Sequence, residues 1–426
     1  MITKIEARNY KAFKYISQEV KPFQILIGPN ASGKSTFLDI VAFIADIMNV
    51  GLQRAVTLRT TNFEELTFNR LGGTIEFALE FSISINGKNE KIDCRYEIRI
   101  GELKNKYQIL GERILEFPRD VTKKSNSLQL PHLEIFGFSE LPDDIESRYF
   151  LSNLHNRLTI VKFLKNQFGD MREYLPSDIS SNDFAKLGFN FFRSDEVDSS
   201  ILAIKFASNI IPLNQIIYQQ INKSVTKVTL ESNALCGASQ PGQGLAFLPS
   251  GSNLPWLIED LKFKNAELYQ LWLGHIQMAL PDVEEINILK MENHNMRYIS
   301  IKYKDGANIS SWMLSDGTLR LLALTFIAYQ PETKGMYLIE EPENGVHPKN
   351  LSYIYQSLSS VYGAQVFIAT HSPLLLSIAG KGDLLLFSKN EDGSISISDA
   401  EDNDYLKKWD SSAIGLGSIF ASGILS

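Results

Sequence analysis

The run Gly28-Pro-Asn-Ala-Ser-Gly33-Lys34-Ser35-Thr36 constrains this chain more than any other stretch, because it joins two segments of different periodicity. Ahead of it, Phe23-Gln-Ile-Leu-Ile27 is an apolar run of strand length. Behind it, Phe37, Ile40, Val41, Ile44, Ile47 and Met48 recur at three and four, the apolar face of a helix. A glycine-rich turn in that setting presents consecutive backbone N–H groups at the positive end of a helix, which makes an anion nest. The spacing fits GxxxxGK[ST], so Asn30, Ala31, Ser32, Gly33, Lys34, Ser35 and Thr36 form the expected phosphate cradle. In it Lys34 would reach the outer phosphates, and the Ser35 hydroxyl would ligate Mg²⁺.

Three further segments bear on that cradle. Met336-Tyr-Leu-Ile339 has the length of a buried strand and ends in Glu340-Glu341-Pro342-Glu343. Acids at a strand's C-terminal edge face the phosphate crevice, where Glu340 would hold Mg²⁺ and Glu341 would polarise an attacking water. Gln365-Val-Phe-Ile-Ala-Thr370 is a second buried run, followed by His371-Ser372-Pro373, which would place His371 near the outermost phosphate. Met313-Leu-Ser315-Asp-Gly317-Thr sets a serine and a glycine at the start of an apolar-faced helix; alone this is an ordinary helix cap.

The rest of the chain is patterned more loosely. Residues 73–116 alternate like antiparallel hairpins around an Asn86-Gly87 turn and read as a β-lobe. Between 117 and 249 polar and turn residues cluster, with helical pieces near 148–168 and 200–223, as in an insertion or lid. Periodicity returns at 254–280, with strands expected at 284–291 and 296–303 and a hairpin at 383–398. With 42 basic against 49 acidic residues and a net charge of −7, any nucleic-acid surface must be a local patch. Cys94 and Cys236 lie far apart without a CxxC, which excludes a disulfide framework and a thiolate zinc cluster. The first residues lack an apolar signal core, and no run of about 18 apolar residues occurs, so a cytoplasmic protein without a membrane span is expected.

Taken in order, the four segments resemble the ABC-class ATPase heads of the SMC/RecF/OLD-like AAA ATPases. The phosphate loop corresponds to Walker A, Leu314-Ser-Asp-Gly-Thr318 to the ABC signature, the 336–348 run to Walker B with its D-loop, and 368–373 to the histidine switch. The resemblance also takes in 2–13, 250–261 and 416–426, and leaves the middle insertion unmatched. The fold it implies is α/β: an ABC-type P-loop NTPase head, with a mixed β-sheet, helices and an antiparallel β-lobe, carrying an α-rich insertion. Expected boundaries are 1–116 for the first part of the head, 117–249 for a mainly helical insertion and 250–426 for the second part. The resemblance further implies ATP and Mg²⁺ as ligands. Ser315 and Gly317 would contact the γ-phosphate on a second subunit, so that hydrolysis needs a head-to-head homodimer or a higher homo-oligomer. One departure is clear: such heads usually carry Asp then Glu at Walker B, whereas this chain has Glu340-Glu341.

The span from Lys34 to Ser315 is too short for a long coiled-coil arm and longer than a compact transporter ATPase needs. The stretch after His371 does not hold a full TOPRIM nuclease, so any nuclease is expected on a separate partner. Heads of this kind without a nuclease often serve phage defence, which makes a sensor or scaffold for a separate nuclease or toxin the leading expectation. A RecF-like DNA clamp and a non-catalytic ATP-binding scaffold are the alternatives. Lys11 and Phe13 are weak candidates for the adenine contact, and Gln53 is an unassigned Q-loop candidate. His294-Asn295 looks like a fragment of an HNH nuclease without its second histidine. The basic residues Lys123, Lys124, Lys162, Lys165 and Arg172 read as a solvated face rather than a DNA groove.

Overall fold

The computed structural model describes residues 1–84, 91–103, 105–116, 147–154, 157–164, 212–222, 224–291, 294–331, 335–390, 392–403 and 406. The chain forms two compact units. The first takes Met1–Lys21, Asp39–Lys223 and Asn390–Ser396, and the second takes Pro22–Leu38, Ser224–Lys389 and Ile397–Ser426.

In the first unit a five-stranded antiparallel sheet has the order β2-β1-β4-β5-β6. Its strands are β1 (Ile2–Tyr10), β2 (Phe13–Glu19), β4 (Ile75–Ser84), β5 (Lys91–Leu103) and β6 (Lys106–Glu116). This is the expected β-lobe with the opening two strands added to it; the Asn86-Gly87 turn lies outside the described residues. Strict alternation separates two faces. Ile5, Ala7, Phe77, Leu79, Tyr96 and Ile98 are buried on one of them. On the other, the almost fully buried Arg95 guanidinium is shared by Glu6, Glu80 and Glu97. From α1 (Lys34–Val50), whose residues from Asp39 onward belong to this unit, Phe43 stacks on Tyr10 at 5.8 Å and meets Phe77 edge-on at 5.9 Å.

A charged knot fixes that helix. Asp39 accepts from the Tyr10 hydroxyl at 2.6 Å and from Arg59 Nε at 2.9 Å, and also pairs with Lys11, while Arg59 reaches Asp46 at 2.8 Å. Burial pushes the Asp39 carboxyl up, but the charge and hydrogen bond of Arg59, then those of Lys11, outweigh it and bring its pKa from 3.8 down to about 2. The stabilisation is therefore complete above about pH 4 and is lost as pH falls through about 2. Asp39→Ala, which strands Arg59 and Lys11, is expected to cost about 3 kcal/mol in urea unfolding at pH 7. A loss below about 0.5 kcal/mol would show that the knot is ornamental.

The rest of this unit holds α2 (Leu52–Thr57), β7 (Ser147–Leu154), β8 (Arg157–Leu164) and α3 (Pro212–Ile221). The helical piece expected near 148–168 is instead an antiparallel hairpin of β7 and β8. Leu158-Thr-Ile-Val-Lys-Phe163 is rich in β-branched residues, whose restricted side chains favour the pleated sheet. The helix expected at 200–223 is present over its last part as α3. Lys162 lies on β8, whereas Lys123, Lys124, Lys165 and Arg172 fall outside the described residues.

The second unit is built on a six-stranded sheet in the order β16-β15-β3-β14-β13-β9. Its strands are β3 (Phe23–Ile27), β9 (Val225–Val228), β13 (Gly335–Glu340), β14 (Ala364–Thr370), β15 (Leu384–Lys389) and β16 (Ile395–Asp399), of which the residues from Ile397 belong to this unit. From β15 to β9 every neighbour is parallel. All seven residues of β14 are buried, as expected for a central strand covered on both faces. Because β9 pairs with β13, this sheet already takes in Val225–Val228, from within the stretch 117–249. The strands expected at 284–291 and 296–303 are β10 (Val283–Lys290) and β11 (Arg297–Tyr303), joined by β12 (Asn308–Ser310) in a small antiparallel sheet.

The helices of this unit are α4 (Ser232–Cys236), α5 (Leu254–Lys264), α6 (Ala266–Ala279), α7 (Asp316–Phe326), α8 (Leu351–Ser359) and α9 (Pro373–Ile378). Trp272 of α6 is fully buried edge-on to Phe326 of α7, and its indole N–H donates to Thr325 at 3.1 Å, so its polar atom is satisfied. Among the described residues no helix is long and apolar enough to cross a membrane.

Candidate nucleotide-binding site

Parallel register brings the sequence motifs to one edge. Ile27 lies opposite Thr370, and Ala369 opposite Glu340, so the phosphate loop, His371 and the paired acids all leave the sheet at its C-terminal edge. The strand β14 runs between β3 and β13, which sets His371 between the loop and the acids.

The loop itself needs its small residues. A Cβ on Gly28 would lie 2.3 Å from the Phe387 carbonyl oxygen of β15, so only glycine lets the loop start against that strand. Ala31 (φ 61°) and Gly33 (φ 88°) are left-handed, the backbone that turns successive N–H groups into one concavity. Ser32 and Lys34 are buried, and the Lys34 ammonium donates to the Gly28 and Pro29 carbonyls at 2.8 Å each. Burial lowers the Lys34 pKa, the Glu341 carboxylate opposes it, and the balance is about 8. Phosphate binding requires the ammonium form. Nucleotide affinity should therefore be level up to about pH 8 and fall above it, approaching tenfold per pH unit, in a fluorescence titration. A profile that stays level to about pH 10 would contradict this placement of the proton.

Ser35 Oγ donates to Glu340 Oε2 at 2.6 Å, joining loop and acid strand directly. The other oxygen, Oε1, pairs with Lys227 of β9 at 2.8 Å. Hydroxyl and carboxylate oxygens are hard donors that suit Mg²⁺, which usually takes one or two protein ligands and completes its octahedron with phosphate and water. Among the described residues no group of three or more His, Cys, Asp or Glu gathers as a metal cage. The donor set thus fits a metal shared with a phosphate ligand.

Glu341 has a left-handed backbone (φ 47°), a conformation that costs a non-glycine residue on the order of 1 kcal/mol and turns its side chain off the strand line. Its N–H donates to the Ala369 carbonyl at 2.8 Å. One carboxylate oxygen accepts from Asn344 Nδ2 at 2.5 Å, and the other stands 3.8 Å from His371 Nε2. Glu343 accepts from Thr370 Oγ1 at 2.5 Å and from the His371 N–H at 3.3 Å, which pins the backbone that carries the histidine. Glu343 and Asn344 join the site beyond the residues expected from sequence; their place three and four residues past the end of β13, at the close of the acidic run, is the signal that marks them.

Ser315 caps α7, accepting from the Thr318 N–H at 3.2 Å, and is exposed. A Cβ on Gly317 would come within 2.4 Å of the Gly345 carbonyl oxygen, so the glycine allows α7 to close on the turn that follows the acids. Gly317 thus adjoins the turn at Gly345, and Ser315 stands two residues ahead of it at the start of the same helix. The weaker candidates resolve into local roles: Lys11 pairs with Asp39, Phe13 is fully buried, and Gln53 donates to the Tyr107 carbonyl at 2.8 Å. His294 and Asn295 lie in the turn between β10 and β11, where Asn295 is left-handed (φ 50°).

Strand order and motif order together define an ABC-type P-loop NTPase head. Residues 23–377 match the family described as "AAA domain, putative AbiEii toxin, Type IV TA system", and the chain belongs to that family. Over 96 residues it is 34% identical to the chromosome partition protein Smc of Methanocaldococcus jannaschii, a match covering 22% of this chain and 8% of that protein. The chain therefore spans only a small part of that relative's length. Among solved structures, an SMC head bound to the C-winged helix domain of ScpA aligns over 93% of this chain and 96% of that one, with 12% identity and a TM-score of 0.49. The SMC head domain of Thermotoga maritima aligns over 93% and 98%, with 11% identity and a TM-score of 0.40.

Proposed function

We propose that this chain binds and hydrolyses ATP with Mg²⁺, and that ATP closes two copies head to head as a conformational switch controlling a separate effector. The observation that carries the reading is the meeting of Lys34, Ser35, Glu340, Glu341 and His371 at one sheet edge. In this reading Mg²⁺, when bound, neutralises charge on the phosphates. Lys34 leaves its two loop carbonyls for the outer phosphates, and the nest of N–H groups holds their oxygens. Glu341 accepts the proton of the attacking water, steadied by Asn344, and His371 faces the transferred phosphoryl group.

The exposed Ser315 cap supports a role toward a second copy, because it leaves the start of α7 open to solvent. The family description, which names a toxin of a toxin–antitoxin system, supports a role in a defence-type system. Ser315→Arg tests the sandwich. Steady-state phosphate release should fall by at least about tenfold, while binding of a fluorescent ATP analogue stays within about twofold. Hydrolysis at the wild-type rate in this variant would sink the two-copy site.

A further inference from the structure

We infer that Lys227 is a positioning residue for the metal-binding acid, setting how strongly nucleotide binding depends on the metal. The inference rests on the ATP reading above. β9 is the edge strand beside β13, and Lys227 lies in register with Leu338, two residues before Glu340. Neighbours in register share a face of a sheet, and so do residues two apart along a strand. Lys227 and Glu340 therefore lie on the same face, separated along the strand by about 7 Å, a gap that a lysine stem and a glutamate can close between them. They meet at 2.8 Å through Oε1, while Oε2 takes the Ser35 hydroxyl at 2.6 Å. The carboxylate is thus held at both oxygens, one by the phosphate loop and one by a cation from the edge strand. The extra methylene of glutamate over aspartate lets a residue at the very end of β13 reach both.

A divalent cation at Ser35 and Glu340 adds two positive charges beside the Lys227 ammonium. Lys227 consequently does two things: it holds Glu340 on Ser35 before the metal arrives, and it opposes the metal once it is there. The Lys227 side chain is 43% exposed and that of Glu340 29%, so water screens the effect and keeps it small. It is nonetheless specific to the metal.

The test is the ratio of the affinities of a fluorescent ATP analogue in Mg²⁺ and in EDTA, measured for wild type, Lys227→Met and Lys227→Arg. In Lys227→Met the ratio should rise about two- to fivefold, the size of a half-exposed ion pair, and Lys227→Arg should restore it to the wild-type value. In a Glu340→Gln background Lys227→Met should leave the ratio unchanged. A ratio unaltered by Lys227→Met in the wild-type background, or one that falls, overturns the inference, since a merely structural lysine would shift both affinities together. If wild type binds the analogue in neither buffer, the ATP reading itself fails and takes this one with it. The two failures are therefore distinguishable.

Discussion

Glu341→Gln should lower ATP turnover by about 10²–10⁴-fold while leaving ATP affinity within about twofold. The amide has the shape of the carboxylate and keeps an oxygen for Asn344, which donates to Glu341 at 2.5 Å, but it cannot take a proton from water. The carboxylate also faces His371 at 3.8 Å, a distance longer than a hydrogen bond and one that nucleotide-bound geometry would shorten. Its left-handed backbone is held from outside, by the Ala369 carbonyl and by the turn to Asn344, so the substitution does not relax the strain. Phosphate release under single-turnover conditions is the measurement. A rate within about threefold of wild type would remove Glu341 from the role of base.

Lys34→Ala should weaken nucleotide binding by about 10²-fold or more, the usual scale for removing a buried, hydrogen-bonded charge from a phosphate site. Lys34 is 5% exposed and its ammonium spans the loop between the Gly28 and Pro29 carbonyls, so it is part of the cradle as well as a charge within it. The loop's shape depends on Gly28, Ala31 and Gly33, which the substitution leaves in place. Folding is therefore expected to survive, and calorimetric titration with ATP reads the loss. Near wild-type affinity would mean that the backbone nest binds phosphate without the lysine.

Much of the site is legible in sequence because its parts are local. A strand run, a glycine turn and a helical stripe lie within residues 23–48, and each buried strand of the site ends abruptly in charged or polar residues. Other features depend on neighbours remote in the chain. β9 is four residues long and is recognisable only through its pairing with β13. Lys227 therefore could not be linked with Glu340 by spacing. The β7–β8 hairpin departs from the helix expected near 148–168 because a short apolar window fits both periods, and β-branched residues favour the strand. Lys11 pairs with Asp39 and Phe13 is fully buried, partners that a local pattern of two residues does not announce. Buried Asn253 shows the same limit: its side chain ties together the backbone of Gly244, Ala246 and Leu248, a structural duty that no local pattern announces.

The ATP-driven switch is tested most directly by light scattering of Glu341→Gln protein, with and without ATP and Mg²⁺. The mass should double when both are present, and the doubling should vanish when Ser315→Arg is added to the same chain. A mass that stays at the monomer value with saturating ATP and Mg²⁺, in a protein shown by titration to have bound the nucleotide, would contradict the switch.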